Sequence, residues 1–277
     1  MKSIPLSLRV SRLLAAMTLL AGISGPAFAK PEKALLSSNK EGASVQRSGT
    51  DQTGKSLKVA GCFEANNGQT NASVKFYTRT PGYTLYLTAA EAVMVMPKAA
   101  AASGQNGVVR MKLKGANASP AVQGLDIQPG YSNYLIGSDP SKWQTGVKQY
   151  FKVKFAQVYP GIDMIYRLNN GQVENDFIVA PGANPQRILI GFEGNKGLRL
   201  DRRGNLVLLV AGGELTYKAP TLYQTLGSKR VPVKGRYVLA SNKNVRFEVG
   251  NYIKEQRTGD RPSAGLFQLP GRRRSDE

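Results

Sequence analysis

The sequence predicts an all-β, sandwich-like fold, divisible into two β lobes, on three observations. Stretches that alternate apolar and charged residues recur along the chain, and turn-forming pairs cut them every few residues. No helical period persists over three turns, except weakly across Ala89–Ala102. Alternation turns one face of a strand to a core and the other to water, and many short strands with regular turns build sandwiches or barrels.

The elements follow in order from Leu57. Asn66-Asn67-Gly68 and Pro81-Gly82 are turn formers that separate the first strands. Glu91–Met96 reads as a strand, followed by an alanine-rich loop over 98–107. In Val109-Arg110-Met111-Lys112-Leu113-Lys114 one face is apolar and the other cationic, and Tyr150-Phe151-Lys152-Val153-Lys154-Phe155 repeats the scheme. Val109, Met111 and Leu113 are therefore expected inside, as are Phe151, Val153 and Phe155. Asn169-Asn170-Gly171 marks a hairpin, and Asp201–Asn205 forms the loop between Leu198–Asp201 and Leu206–Val210. Gly212-Gly213 is a further turn, and Val231–Leu239 and Val245–Val249 close the series. A seam near 137–146 divides the β region 57–253 into lobes 57–136 and 147–253. No repeat of propeller-blade length is visible.

The ends differ in composition from this body. Residues 1–29 carry the pattern of an export signal: Lys2, Arg9 and Arg12, then the apolar run Leu13–Ile23, then Ala27-Phe28-Ala29 as a small-residue cleavage site. The run is shorter than the ~20 apolar residues a membrane span needs. Residues 30–56 read as a flexible leader and 254–277 as a disordered tail ending in Arg272-Arg273-Arg274. The expected mature protein begins at Lys30, has no transmembrane segment, and is secreted, periplasmic or displayed at the cell surface. Val59-Ala60-Gly61-Cys62 resembles a lipoprotein processing box, but residues 37–58 are too polar to precede one. Cys62, the one cysteine, excludes an intrachain disulfide and is expected to pack inward from a strand.

The formal charge is +20, and +17 once Lys2, Arg9 and Arg12 are removed. A field of that size favours polyanions, and export favours an anionic polysaccharide or an envelope protein over any specific nucleic acid. The cations are spread singly on strand faces, which is also how a solvated surface looks.

Phe63-Glu64-Ala65-Asn66-Asn67-Gly68-Gln69-Thr70, Val74-Lys75-Phe76 and Pro81–Thr88 stand in an order that carries a resemblance. Ser132–Trp143, Val158–Tyr166, Glu174–Ala183 and Phe247–Tyr252 extend it. The chain resembles a domain of unknown function found at the N-terminus of bacterial exported proteins with SBBP (beta-propeller-type) repeats, here without the repeats. The resemblance implies an exported β domain and supplies no catalytic residues.

The chemistry is narrowed by what is missing. Without histidine there is no Ser-His-Asp or Cys-His arrangement. A glycosidase would need two carboxylates across a cleft. The available acids are Asp126, Asp139, Asp163, Glu174, Asp176 and Glu193. They are too scattered for a calcium loop, although Glu174 and Asp176 share a strand face. No catalytic, cofactor or metal residue is assigned. Tyrosines beside lysines could stack on sugars, and Trp143 and Tyr134 are the candidate ligand contacts. Trp143 is expected to plug the base of its loop. The reading is a non-enzymatic β domain for adhesion or assembly, with a carbohydrate-active hydrolase using paired carboxylates as the alternative.

Overall fold

The computed structural model describes residues 6–10, 13–16, 61–97, 107–211, 213–226, 228–241 and 243–254. The expected leader over 30–56 lies outside them, as do 98–106 of the expected alanine-rich loop and 255–277 of the expected tail. The fold is all-β and sandwich-like. Its strands begin with β1 (Leu6–Val10), β2 (Leu13–Ala16), β3 (Phe63–Ala65), β4 (Val74–Thr80), β5 (Tyr83–Thr88) and β6 (Glu91–Met96). There follow β7 (Gly107–Leu113), β8 (Ala121–Tyr134), β9 (Gln144–Tyr159), β10 (Ile162–Asn169), β11 (Gln172–Val179) and β12 (Leu189–Glu193). The last are β13 (Gly197–Leu200), β14 (Leu206–Val210), β15 (Gly213–Tyr217), β16 (Thr221–Leu226), β17 (Lys229–Val233), β18 (Gly235–Ser241) and β19 (Asn244–Val249).

Fifteen strands make one sheet in the order β17-β16-β1-β11-β10-β9-β3-β4-β5-β6-β7-β12-β19-β18, with β8 paired to β9. The division into lobes 57–136 and 147–253 does not survive as a break in this sheet. β3 and β8 both pair with β9, and β7 pairs with β12, so three strand pairings cross the expected seam. A four-stranded sheet, β13-β14-β15-β2, lies against the inner face. There the Tyr217 ring meets Phe192 at 5.6 Å and its hydroxyl reaches the Met94 sulfur at 3.6 Å.

The large sheet curls until its ends meet. Phe177 of β11 touches Phe247 of β19, ring centroids 5.9 Å apart. The run Val231–Leu239 is accordingly not one strand: β17 and β18 sit at opposite ends of the sheet, joined by Lys234. Pro232, which has no N–H to donate, lies on the outermost strand, where none is needed. Gly235 turns the corner because a Cβ there would lie 2.5 Å from Leu222.

Val109 and Met111 face the core as alternation predicts, and Leu113 packs at its margin. Val153 and Phe155 are buried too, but Phe151 is 41 % exposed. Its neighbour Tyr150 packs against the core instead, with its ring edge-on to Phe76 at 5.6 Å. A second, smaller core forms on the other face of β4–β6, where Val74, Tyr77, Tyr86 and Val93 meet Tyr134 and Val147. The far end of the β8–β9 hairpin therefore folds over strands already covered on their first face. That explains why β5 is buried almost throughout instead of at alternate residues.

Candidate functional site

Glu64, on β3, is the charged side chain most fully enclosed beneath the folded-over hairpin, 5 % exposed. Its Oε2 accepts from the Tyr77 hydroxyl at 2.8 Å and from the Tyr134 hydroxyl, and the two hydroxyls also touch. Gln69 Nε2 donates to the Tyr77 oxygen at 3.5 Å, and Arg79 Nη1 donates to the Tyr134 oxygen at 3.1 Å. Each phenol thus accepts on one side and donates to Glu64 on the other. The Arg79 guanidinium lies 5.0 Å from the Tyr77 ring centre and 3.8 Å from Glu64 Oε1.

The local sequence builds this from both ends. Asn66 accepts from the amides of Gly68 and Thr70 through its Oδ1, while its Nδ2 donates to the carbonyls of Asn71 and Val74 at 2.8 and 2.9 Å. Gln69 is pinned by a bond from Nε2 to the Ala65 carbonyl at 2.6 Å. Strand β3 and the self-bonded turn over 66–71 that follows it therefore deliver Glu64 and Gln69 to the tyrosines. Burial, then the neighbouring Glu64 charge, pushes the Tyr77 phenol far above its ordinary range. Burial and the bond to Glu64 raise Tyr134. Both remain proton donors at neutral pH, so neither is a nucleophile. The cluster clasps the hairpin to the sheet.

Other acids are tied to cations. Asp126 meets Lys152 at 2.6 Å, and Asp163 meets Lys154 at 2.7 Å. Glu174 and Asp176 both hold Arg167, with Asp176 at 3.0 Å. Glu193 meets Lys112 at 2.7 Å, whose hydrogen bond holds its carboxyl below the usual range. Asp139 caps the 3-10 turn Pro140–Lys142, accepting from the Ser141 amide at 3.0 Å. Among the described residues no group of three His, Cys, Asp or Glu side chains gathers as a metal site.

The candidate ligand contacts fall in different settings. Tyr134 is buried in the clasp. Trp143 is half-buried, and its indole Nε1 donates to the Gly137 carbonyl at 3.1 Å, closing its loop. Most of the other tyrosines fill cores, among them Tyr83, Tyr86, Tyr159 and Tyr166, while Tyr131 is exposed. Cys62 is half-buried just before β3.

A cavity of about 260 Å³ opens beside the β6–β7 edge, with Met111, Phe155, Met164 and Tyr166 in its wall. Glu91, Lys112 and Lys114 supply its charges. Its one carboxylate among the described residues, Glu91, is bonded to Arg110 and lies 3.6 Å from Lys112. No sequence signal pointed to this cavity or to the Glu64 clasp, whose tyrosines look from the sequence like strand fillers.

The domain that begins at Phe63 has relatives. A family model described as "Domain of unknown function (DUF7948)" matches residues 63–257. The chain belongs to DUF7948. The matched DUF7948 region opens on the strand that carries Glu64 and includes both tyrosines of the clasp. No curated protein and no solved structure matches the chain. Among the described residues no helix is long and apolar enough to cross a membrane.

Proposed function

We propose that this DUF7948 chain is an exported, non-enzymatic β domain that serves adhesion or assembly at the cell envelope. The observation that favours this reading over a paired-carboxylate hydrolase is the cavity beside β6 and β7. Among the described residues it offers a single carboxylate, already bonded to Arg110, where glycoside hydrolysis needs two facing each other. The charge of +20, or +17 without Lys2, Arg9 and Arg12, supports an anionic polysaccharide or acidic envelope protein as partner. Ile127 and Tyr131 on β8 and Leu135 just beyond it stand exposed and supply apolar area for such a contact. The resemblance to exported SBBP-repeat proteins supports the compartment, as does the n-region, apolar run and cleavage pattern of residues 1–29.

Fractionation of cells producing the full chain, with N-terminal mass determination, tests export. A chain starting near Lys30 outside the cytoplasm is expected; intact Met1 in the cytoplasm would remove the proposal. Binding of the processed protein to a uronic-acid polysaccharide should weaken steeply between low and physiological salt if the summed field holds it. Turnover of any glycan that is lost in Glu91→Gln would instead establish the hydrolase. Acrylamide should quench Trp143 only in part, and a bound polysaccharide should leave that quenching unchanged; full protection on binding would make Trp143 a ligand contact.

A further inference from the structure

Strand β1 fills an internal position of the large sheet. Leu6–Val10 pairs antiparallel with Val179–Asn175 of β11, and Leu6–Arg9 pairs with Gln224–Thr221 of β16. Within the sheet β11 and β16 are neighbours of β1 and not of each other. Leu6 and Ser7 are both buried, and the register sets Leu8 between Phe177 and Leu222, two core residues. Yet this segment belongs to the stretch that the export reading removes. Its removal opens a slot bordered by two rows of backbone N–H and C=O groups above an apolar floor, which is a template for another strand.

The far end of the chain arrives at that slot. The Gly182 amide donates to the Lys254 carbonyl at 2.9 Å. The Ile253 amide donates to the Gln224 side chain at 2.8 Å, and Gln224 Nε2 donates back to the Ile253 carbonyl at 2.9 Å. Gln224 is the residue opposite Leu6. The chain thus leaves the described fold at the end of the slot where β1 begins, and a strand entering there runs antiparallel to both borders, as β1 does.

Resting on the export reading, we propose that the mature chain refills the slot with its own segment Gly265–Leu269. The apolar residues of 255–277 are Ala264, Leu266, Phe267 and Leu269, all within one short stretch. With Gly265 in the place of Leu6, Phe267 takes that of Leu8 and Leu269 that of Val10. Leu266 takes the buried place of Ser7, and Gln268 faces Asp176. Pro270 then falls just past the last paired residue, where its missing N–H breaks no bond. Residues 255–264 are long enough to turn back into the slot. The tether favours this segment over a strand from another molecule, because a short flexible linker gives an effective concentration on the order of millimolar.

The test is hydrogen exchange on the exported, processed protein, read on peptides covering Gln172–Val179 and Thr221–Leu226, with the N-terminus checked by mass. Both strands should be protected, and Phe267→Asp should speed their exchange by about tenfold or more. Arg261→Asp, in the connecting stretch, should leave them protected. A synthetic peptide of residues 4–12, which contains β1, should restore protection to Phe267→Asp. Unchanged exchange in Phe267→Asp would overturn the proposal, as would protection that depends on protein concentration, which would indicate a strand from a second copy. An exported chain that keeps Met1 would also overturn it, since Leu6–Val10 would still hold the slot; the mass measurement identifies that case as a failure of the cleavage reading.

Discussion

Without the Glu64 carboxyl the Tyr77 and Tyr134 hydroxyls, both buried, would lose the acceptor on which they converge. A buried polar group stripped of its partner costs about 1–3 kcal/mol. Glu64→Ala is therefore expected to destabilise the protein by about 3 kcal/mol or more, and Glu64→Gln by less, because an amide oxygen still accepts. Chemical denaturation of the two variants checks the order, and equal losses would mean that the bonds to Glu64 contribute little. Glu193 behaves differently because its side chain is 42 % exposed. Its carboxyl is held below the usual range by Lys112, so its contribution is present above the unfolded-state value and lost as pH falls through the folded one. The stability gap between wild type and Glu193→Gln should be well under ~1 kcal/mol at neutral pH. It should close on acidification below about pH 4. Denaturant melts across that range would show it, and a gap that widened in acid would contradict the assignment.

At the scale of elements, β9 shows how far alternation reaches. Val153→Lys would place an unpaired charge in a fully buried site and should cost several kcal/mol, about 3 or more. Phe151→Ser, two residues earlier on the same strand, should cost less than about 1 kcal/mol, and Lys152→Ser should be nearly silent. Thermal melts that ranked Phe151→Ser beside Val153→Lys would refute the exposed position. The period of two was legible in β7 and over Val153–Phe155 of β9; that Tyr150 and not Phe151 packs against the core was not, since Tyr150 meets Phe76, far away in the chain. Lys234 illustrates the same limit: nothing in Val231–Leu239 announces that the sheet's two ends meet there. The hairpin turn at Asn170-Gly171 was legible because both residues adopt φ near +50 to +75°, which Asn and Gly tolerate. The clasp was not, because Tyr134 meets Glu64 across a separation of 70 residues. Leu6–Val10 carried two patterns at once, a basic, apolar leader and an alternating strand, and composition alone favoured the first.

For the whole molecule, the strand order joins distant stretches of chain. β3 pairs with β9, β7 with β12, and β12 with β19, so the sheet is stitched from residues that are translated far apart. Such non-local pairing places folding in the millisecond-to-second range, because each closure costs entropy before it brings contacts. Stopped-flow refolding of the processed protein should therefore be slow for its size, and a microsecond phase carrying the full amplitude would contradict it. The position between β11 and β16 adds a timing rule. Both borders of that position come from the second half of the chain, and β16 is complete only near residue 226. A polypeptide emerging N-terminus first cannot finish this sheet until nearly all of it has emerged. The topology thus leaves the borders of that position, and so the large sheet, incomplete through most of synthesis.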